Sequence, residues 1–324
     1  MRVRIIKMQG ADIELFKFDW DLTWSALFMN AHGHVYARYG ARKDDKAEGL
    51  MSLRGLARVM EKVLEAHKAG AETKPAKWTP RASESLRGLP DNLRTGRNCM
   101  HCHQVWEGLR REKPVTNAEA TETYPLPENL GITLDVDLAN VVKKVSGAAA
   151  KAGVKEGDEL VAVNGTPVCS VADASYALHV AKEKEAVALE VMRDGRKQSI
   201  KVSPPDDWKR RDISWRGSMW QLRPHPGFGG PPLSADERSK LGVAWGFRIN
   251  YIVDWGDDRA TGVNAMKAGL KKGDIIVSAG GKSDFASELD FQAWFRLTQK
   301  GGTEIEFGIL RDGKPQKIRM RILP

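Results

Sequence analysis

Cysteine is scarce, three residues in a chain of 324, which excludes a disulfide-stapled scaffold and a closed four-cysteine zinc site. No apolar run is long enough to span a bilayer as a helix. Gly-x-Ser-x-Gly and His-Glu-x-x-His are both missing, and no plausible Ser, His and Asp arrangement stands out. These absences point to a binding protein rather than an enzyme. Nor is there a basic helix or an interleaved aromatic platform, so nucleic acid is not an expected partner.

What is present is an ordinary globular composition, 41% hydrophobic and 29% charged, long enough for two or three domains. The formal charge of +9 is uneven: residues 73–113 hold nine Lys or Arg against four Asp or Glu. That excess surrounds the one concentrated piece of reactive chemistry, Cys99-Met100-His101-Cys102-His103. Cys-x-x-Cys-His matches a c-type cytochrome motif residue for residue. In that reading Cys99 and Cys102 attach haem c through thioethers, and His103, opening a short helix over 103–111, is the axial iron ligand. A redox dithiol, another metal site, a structural disulfide and a plain pair of thiols are the alternatives. No spacing selects a sixth ligand among His67, His179, His225 and the ten methionines. Haem attachment takes place outside the cytoplasm, whereas Met1 to Ile6 reads as the lead into a strand and not as a signal peptide. A truncated start reconciles the two and makes a periplasmic or otherwise extracytoplasmic location the expectation.

Within residues 1–70 the pattern is strand (Val3–Ile6), strand (Ser25–Met29), turn (Asn30–Gly33), strand (His34–Tyr39) and helix. Ser52 caps the helix, whose apolar face is Leu53, Leu56, Ala57, Met60, Val63 and Leu64. This order resembles the C-terminal half of a thioredoxin-like domain. The half carrying that family's redox cysteines is absent, and Thr23 stands near the family's cis-proline position, so no thioredoxin activity is implied. His32 and His34 flank the hairpin glycine and are read as exposed hairpin residues. Residues 71–127 form a Pro- and Arg-rich linker around the cysteine motif.

The rest of the chain contains a repeat. Leu130-Gly131-Ile132 recurs as Leu241-Gly242-Val243, Lys151-Ala152-Gly153-Val154-Lys155-Glu156-Gly157-Asp158 as Lys267-Ala268-Gly269-Leu270-Lys271-Lys272-Gly273-Asp274, and Arg193-Asp194-Gly195 as Arg311-Asp312-Gly313. Each Asp-Gly is a hairpin turn by its chemistry. The phrases resemble bacterial-type PDZ domains, which implies domains over 128–204 and 239–324 and a Trp- and Pro-rich connector over 205–238. PDZ domains accept a peptide as an added strand and hold its terminal carboxylate in a loop of backbone N–H groups. Carried over, the peptide-binding residues are Leu130, Gly131 and Ile132, and Leu241, Gly242 and Val243. The groove helices fall near 172–182 and 289–298. An insertion over 251–264 puts the second groove in question, and Trp208, Trp215, Trp220 and Phe228 are read as packing between domains.

The expected fold class is therefore α+β and multidomain: a truncated thioredoxin-like α/β segment followed by two PDZ-type, β-rich domains. The expected function is extracytoplasmic, redox-linked protein binding with one covalent haem c, partnered by peptide termini and a redox protein. A haem-free scaffold and a thiol oxidoreductase using Cys99 and Cys102 are the alternatives.

Overall fold

The structure is a computed structural model that describes residues 5, 7–9, 11–12, 15–44, 46, 48–70, 100, 104–105, 124–206, 208–211, 214–256 and 258–324. The haem-motif residues Cys99, Cys102 and His103 lie outside the described residues, as does most of the expected strand over 3–6. The chain divides into two compact units; of the described residues, those up to 211 fall in the first and those from 214 in the second.

In the first unit, β1 (Ala26–Met29) and β2 (Val35–Tyr39) pair as an antiparallel hairpin. Asn30 organises the turn: its Oδ1 accepts from the N–H groups of His32 and His34, while Gly33 takes positive φ. Helix α1 (Leu53–Lys68) starts on Ser52, whose Oγ accepts from Gly55 N–H. Its buried stripe is Gly55 and Val59, with Leu56 and Val63 beside them, while Leu53, Met60 and Leu64 face outward, Leu53 at 87% exposure.

The position of α1 corrects the thioredoxin-like reading. Its first turn lies so close to Val136 that a Cβ at Gly55 would collide with the Val136 carbonyl oxygen. Further along, Lys62 donates to Asn140 and pairs with Glu159. Hairpin and helix are thus a module folded onto the 128–204 region within one unit, not half of a separate domain.

That region begins with a 3-10 turn (Pro127–Leu130) and continues as β3 (Ile132–Leu134), β4 (Val142–Val145), α2 (Gly147–Ala152), β5 (Glu159–Val163), β6 (Thr166–Pro167), α3 (Val171–Val180), β7 (Val187–Arg193) and β8 (Arg196–Val202). The sheets are β3-β4 and β6-β5-β7-β8. Asp194 and Gly195, both at positive φ, close the β7–β8 hairpin as the Asp-Gly chemistry predicts. Alternate residues of β7 (Val187, Leu189 and Val191) point into one core with Leu160, Leu178 and Trp208. Each of these aliphatic side chains contributes about 1.5–3 kcal/mol by leaving water. Trp208, expected between domains, is instead a core residue of this unit, its Nε1 donating to the Glu183 carbonyl.

The second unit contains β9 (Phe228–Gly229), α4 (Ala235–Leu241), β10 (Phe247–Arg248), β11 (Tyr251–Ile252), α5 (Arg259–Lys267), β12 (Ile275–Ala279), α6 (Glu288–Thr298), β13 (Glu304–Arg311) and β14 (Lys314–Arg321). Its ladder reproduces that of the first. Val142 N–H donates to Asp158 O and Gly157 N–H to Val142 O; likewise Ile249 N–H donates to Asp274 O and Gly273 N–H to Ile249 O, all at 2.8 Å. Ile132 pairs with Val145, and Phe228 with Ile252. The strand matching β3 is therefore β9, and residues 230–246, including α4, are inserted between the two matched strands. Phe228, also expected between domains, lies in the core of this unit.

Candidate peptide-binding grooves

A strand-adding groove needs three parts: a loop with free N–H groups, a strand edge with unused hydrogen bonds, and a facing helix. In the first unit the counterparts are Leu130-Gly131-Ile132, β3 and α3, although the Gly131 N–H already donates to Glu128 O at 2.9 Å. Gly131 has φ +90°, and a Cβ there would collide with the Ser146 carbonyl oxygen. Glycine is thus required twice, by backbone conformation and by space. On one side of β3, Ser146 N–H donates to Gly131 O and Asp135 N–H donates to Val141 O, both at 2.8 Å. Backbone alternation then turns the Ile132 and Leu134 groups toward the opposite edge. Among the described residues β3 pairs only with β4.

Helix α3 supplies the second wall. Ser170 caps it, its Oγ accepting from Asp173 N–H. The Asp173 carboxylate accepts from Arg38 N–H (2.8 Å) and Cys169 N–H (3.1 Å), 3.8 Å from the Arg38 guanidinium. Burial pushes the Asp173 carboxyl up to about 7, against the pull of Arg38. On the side of α3 facing Tyr124 and Leu126, Ser175 Oγ donates to the carbonyls of Tyr124 and Pro125 (2.9 and 3.0 Å). The His179 ring stacks on Tyr124 with centroids 4.2 Å apart.

The second groove is not where the repeat phrase placed it. Leu241 ends α4, Gly242 is that helix's left-handed C-cap, and Val243 N–H donates back to Arg238 O. These three residues close a helix and form no binding loop. The structural counterpart of Gly131 is Gly227: φ is +84°, its carbonyl accepts from Val253 N–H at 2.9 Å, and a Cβ would collide with Thr261 backbone. The matching loop is Pro226-Gly227-Phe228, and the facing helix is α6.

Here the chemistry differs. Gln292, aligned with Ser175 from the Ser287 and Ser170 caps, donates through Nε2 to the Phe228 carbonyl (2.9 Å) and to Glu288 Oε1 (2.7 Å). Its Oε1 accepts from the fully buried Arg296 guanidinium at 2.5 Å, and Trp220 stacks on that guanidinium at 4.8 Å. Burial lowers Arg296 to about 10 and raises Glu288 and Tyr251. In the loop, His225 Nδ1 accepts from Gly227 N–H. Burial, with Arg296 and Arg223 nearby, lowers His225 to about 3, so the ring is neutral. Sequence reasoning missed Gly227, Gln292 and Arg296; the one available signal was the Gly227-Phe228 pair within the run from Pro224 to Pro232.

The other candidate residues scatter. His67 Nδ1 shares a hydrogen bond with Tyr36 Oη at 2.8 Å, and His179 and His225 belong to the two different grooves. No group of three or more His, Cys, Asp or Glu side chains able to hold a metal occurs among the described residues. No helix among them is long and apolar enough to cross a membrane.

Comparison with known proteins finds a PDZ domain at residues 128–203. A "Probable periplasmic serine endoprotease DegP-like" of Pseudomonas putida strain GB-1 is 25% identical over 209 residues, 64% of this chain and 40% of that protein. The corresponding protein of Pseudomonas savastanoi pv. phaseolicola is 27% identical over 210 residues, again 64% and 40%. The "Periplasmic serine endoprotease DegP" of Escherichia coli K12 is 28% identical over 134 residues, 41% and 24%. The chain thus spans about 40% of the length of the first two relatives. Among solved structures, a serine endoprotease from Yersinia pestis aligns over 22% of this chain and 26% of its own at 28% identity, with a TM-score of 0.20. The HtrA-type protease AlgW with tripeptide aligns over 51% and 52% at 16% identity, with a TM-score of 0.28.

These relatives correct the functional expectation. Proteins named periplasmic serine endoproteases replace the haem-bearing, redox-linked binding protein, and with it the redox partner and the expectation that the chain is not an enzyme. The first of the two expected PDZ domains stands, and a PDZ domain supports peptide binding.

Proposed function

We propose that this chain works in periplasmic serine endoproteolysis of the DegP type, with its first groove docking peptide termini for that reaction. The observation that carries this reading is the edge of β3, paired on one side only among the described residues, beside the Gly131 loop and opposite α3. A peptide end laid there adds a strand to β3, its carboxylate taken by the Ile132 N–H, since the Gly131 N–H donates to Glu128 O. The second unit is read as a further PDZ-type domain whose loop is Pro226-Gly227-Phe228. A periplasmic location follows from the relatives and belongs to the same proposal.

The test is fluorescence anisotropy of the full chain with labelled decapeptides ending in an apolar residue, as free acids and as C-terminal amides. Free acids should bind and amides should bind at least tenfold more weakly. Gly131→Val should lose at least tenfold more, because its side chain meets both a left-handed φ and the Ser146 carbonyl. Equal binding of acids and amides would overturn the groove assignment. Cleavage of an unfolded protein substrate that a serine-directed fluorophosphonate blocks tests the proteolytic part. No such cleavage by the chain, alone or in the complex it is purified with, would overturn it.

A further inference from the structure

Both walls of the first groove are held by the same short stretch of the N-terminal module. On the helix wall, Arg38 N–H donates to Asp173 Oδ1 and Ser170 Oγ donates to Arg38 O at 2.6 Å; the Arg38 guanidinium stacks on Tyr176 at 3.6 Å. On the strand side, two residues past the end of β3, the Val136 carbonyl stands in the turn that follows. It accepts from Ser52 Oγ at 3.2 Å and abuts Gly55. Between these anchors, Ala41 and Leu50 are buried in one cluster with Leu126, Ile132 and Val171. Tyr39 ties the ends together, its Oη donating to Ser52 O and accepting from Ser52 N–H at 2.7 and 2.8 Å. A segment fixed to both walls, with Ala41 and Leu50 buried and Lys43, Lys46, Glu48 and Gly49 exposed between them, spans the groove.

We propose that residues 38–44 and 48–52 form an intramolecular bar across the outer end of the first groove, and that the hairpin–helix module competes with any peptide extending past it. This rests on the peptide-binding reading of that groove. β3 rises about 3.3 Å per residue over Ile132–Leu134 and Val136 stands in the turn two residues on, so roughly four peptide residues fit before the bar. The last residues of a peptide then bind with the module in place, and longer peptides gain nothing from their upstream residues unless α1 lifts.

The experiment compares an acetylated tetrapeptide and a decapeptide sharing one apolar C-terminal sequence, both as free acids, by calorimetric titration of the full chain. In the wild type the two should bind within about threefold of each other. Gly55→Leu, which drives a side chain into Val136 and pries α1 away, should improve decapeptide binding at least tenfold and leave the tetrapeptide unchanged. Lys62→Ala, which removes the anchor to Asn140 and Glu159 away from the groove, should give a smaller gain of the same kind. Hydrogen exchange of residues 53–68 in the wild type should accelerate when decapeptide is added and not when tetrapeptide is. A wild-type decapeptide advantage of tenfold or more, with no change in exchange, would overturn the bar while leaving the groove intact. Failure of every peptide on every variant would overturn the peptide-binding reading itself.

Discussion

The two units share a frame and differ in what fills their grooves. In both, an Asp at the end of the Ala-Gly turn holds an Arg from the hairpin strand through two hydrogen bonds: Asp158 with Arg193 at 2.6 and 2.7 Å, Asp274 with Arg311 at 2.8 Å each. The same Arg caps a turn carbonyl, Gly153 or Gly269, and the same Asp accepts from Lys155 or Lys271 N–H. Along the groove helix the correspondence ends. Val171, Ser175 and His179 in the first unit become Glu288, Gln292 and Arg296 in the second, and Gln292 already occupies the Phe228 carbonyl that strand addition would use. The frame depends on polar geometry that tolerates few replacements, whereas the helix positions over the groove are free to carry different chemistry.

The sharpest way to separate the units is pH, because their buried titrating groups pull in opposite directions. Asp173 is pushed from its ordinary 3.8 up to about 7. Between those values the folded state keeps a proton that the unfolded chain has released, so stability of the first unit falls as pH rises from about 4 to 7. His225 is pushed from 6.5 down to about 3. There the unfolded chain takes up the proton first, so the second unit keeps its stability above about pH 6.5 and loses it as pH falls toward 3. Each effect is on the order of several kcal/mol. Hydrogen exchange read separately in β7 and β13 across pH 4–8 should show the two slopes, and Asp173→Asn and His225→Asn should each flatten one. Parallel slopes would break the contrast.

The common frame is tested by removing its aspartates. Asp158 and Asp274 are almost fully buried, and truncating each leaves a backbone N–H unpaired and an arginine held only by its turn carbonyl. Asp158→Ala and Asp274→Ala should therefore each destabilise the unit that carries them by about 3 kcal/mol, measured by denaturant unfolding with exchange localised to β5 and β12. A difference above about twofold would mean that the two frames are not equivalent.

Legibility in the sequence followed the same division. The phrase ending in Gly-Asp and the Asp-Gly hairpins were readable because side-chain chemistry determines those turns; Asp194, Gly195, Asp312 and Gly313 all take the positive φ that the dipeptide predicts. The first groove loop was placed by its glycine. The second was misplaced because Gly242 and Gly227 both require left-handed backbone, one to end a helix and the other to make a loop. A short Leu-Gly-Val phrase does not distinguish those uses. Helix α1 was recognised, but its inner face only in part: Leu56 and Val63 pack inward as expected, whereas Gly55 and Val59 were missed. The Leu53, Met60 and Leu64 ridge points outward because Gly55 is what permits close approach to Val136, and close approach to a distant carbonyl leaves no periodicity to read.

The smallest expected effects concern the grooves themselves. Replacing Gln292 by Ala removes a partner from the Phe228 carbonyl, Glu288 and Arg296 together, and should lower stability by about 2 kcal/mol. Replacing Ser175 by Ala removes one hydroxyl from two carbonyls and should lower it by only about 1 kcal/mol. Binding should move the other way. With Gln292 in place the second groove competes against its own side chain, so a photo-crosslinking decapeptide with a free C-terminus should label β3 and α3 and leave β9 and α6 unlabelled. In Gln292→Ser, which installs the shorter side chain of the first unit, the Phe228 carbonyl is released and labelling of β9 should appear. Labelling of β9 in the wild type would show that Gln292 yields to peptide and is no latch. No labelling in Gln292→Ser would place the block elsewhere, in Arg296 and the Trp220 ring stacked on it.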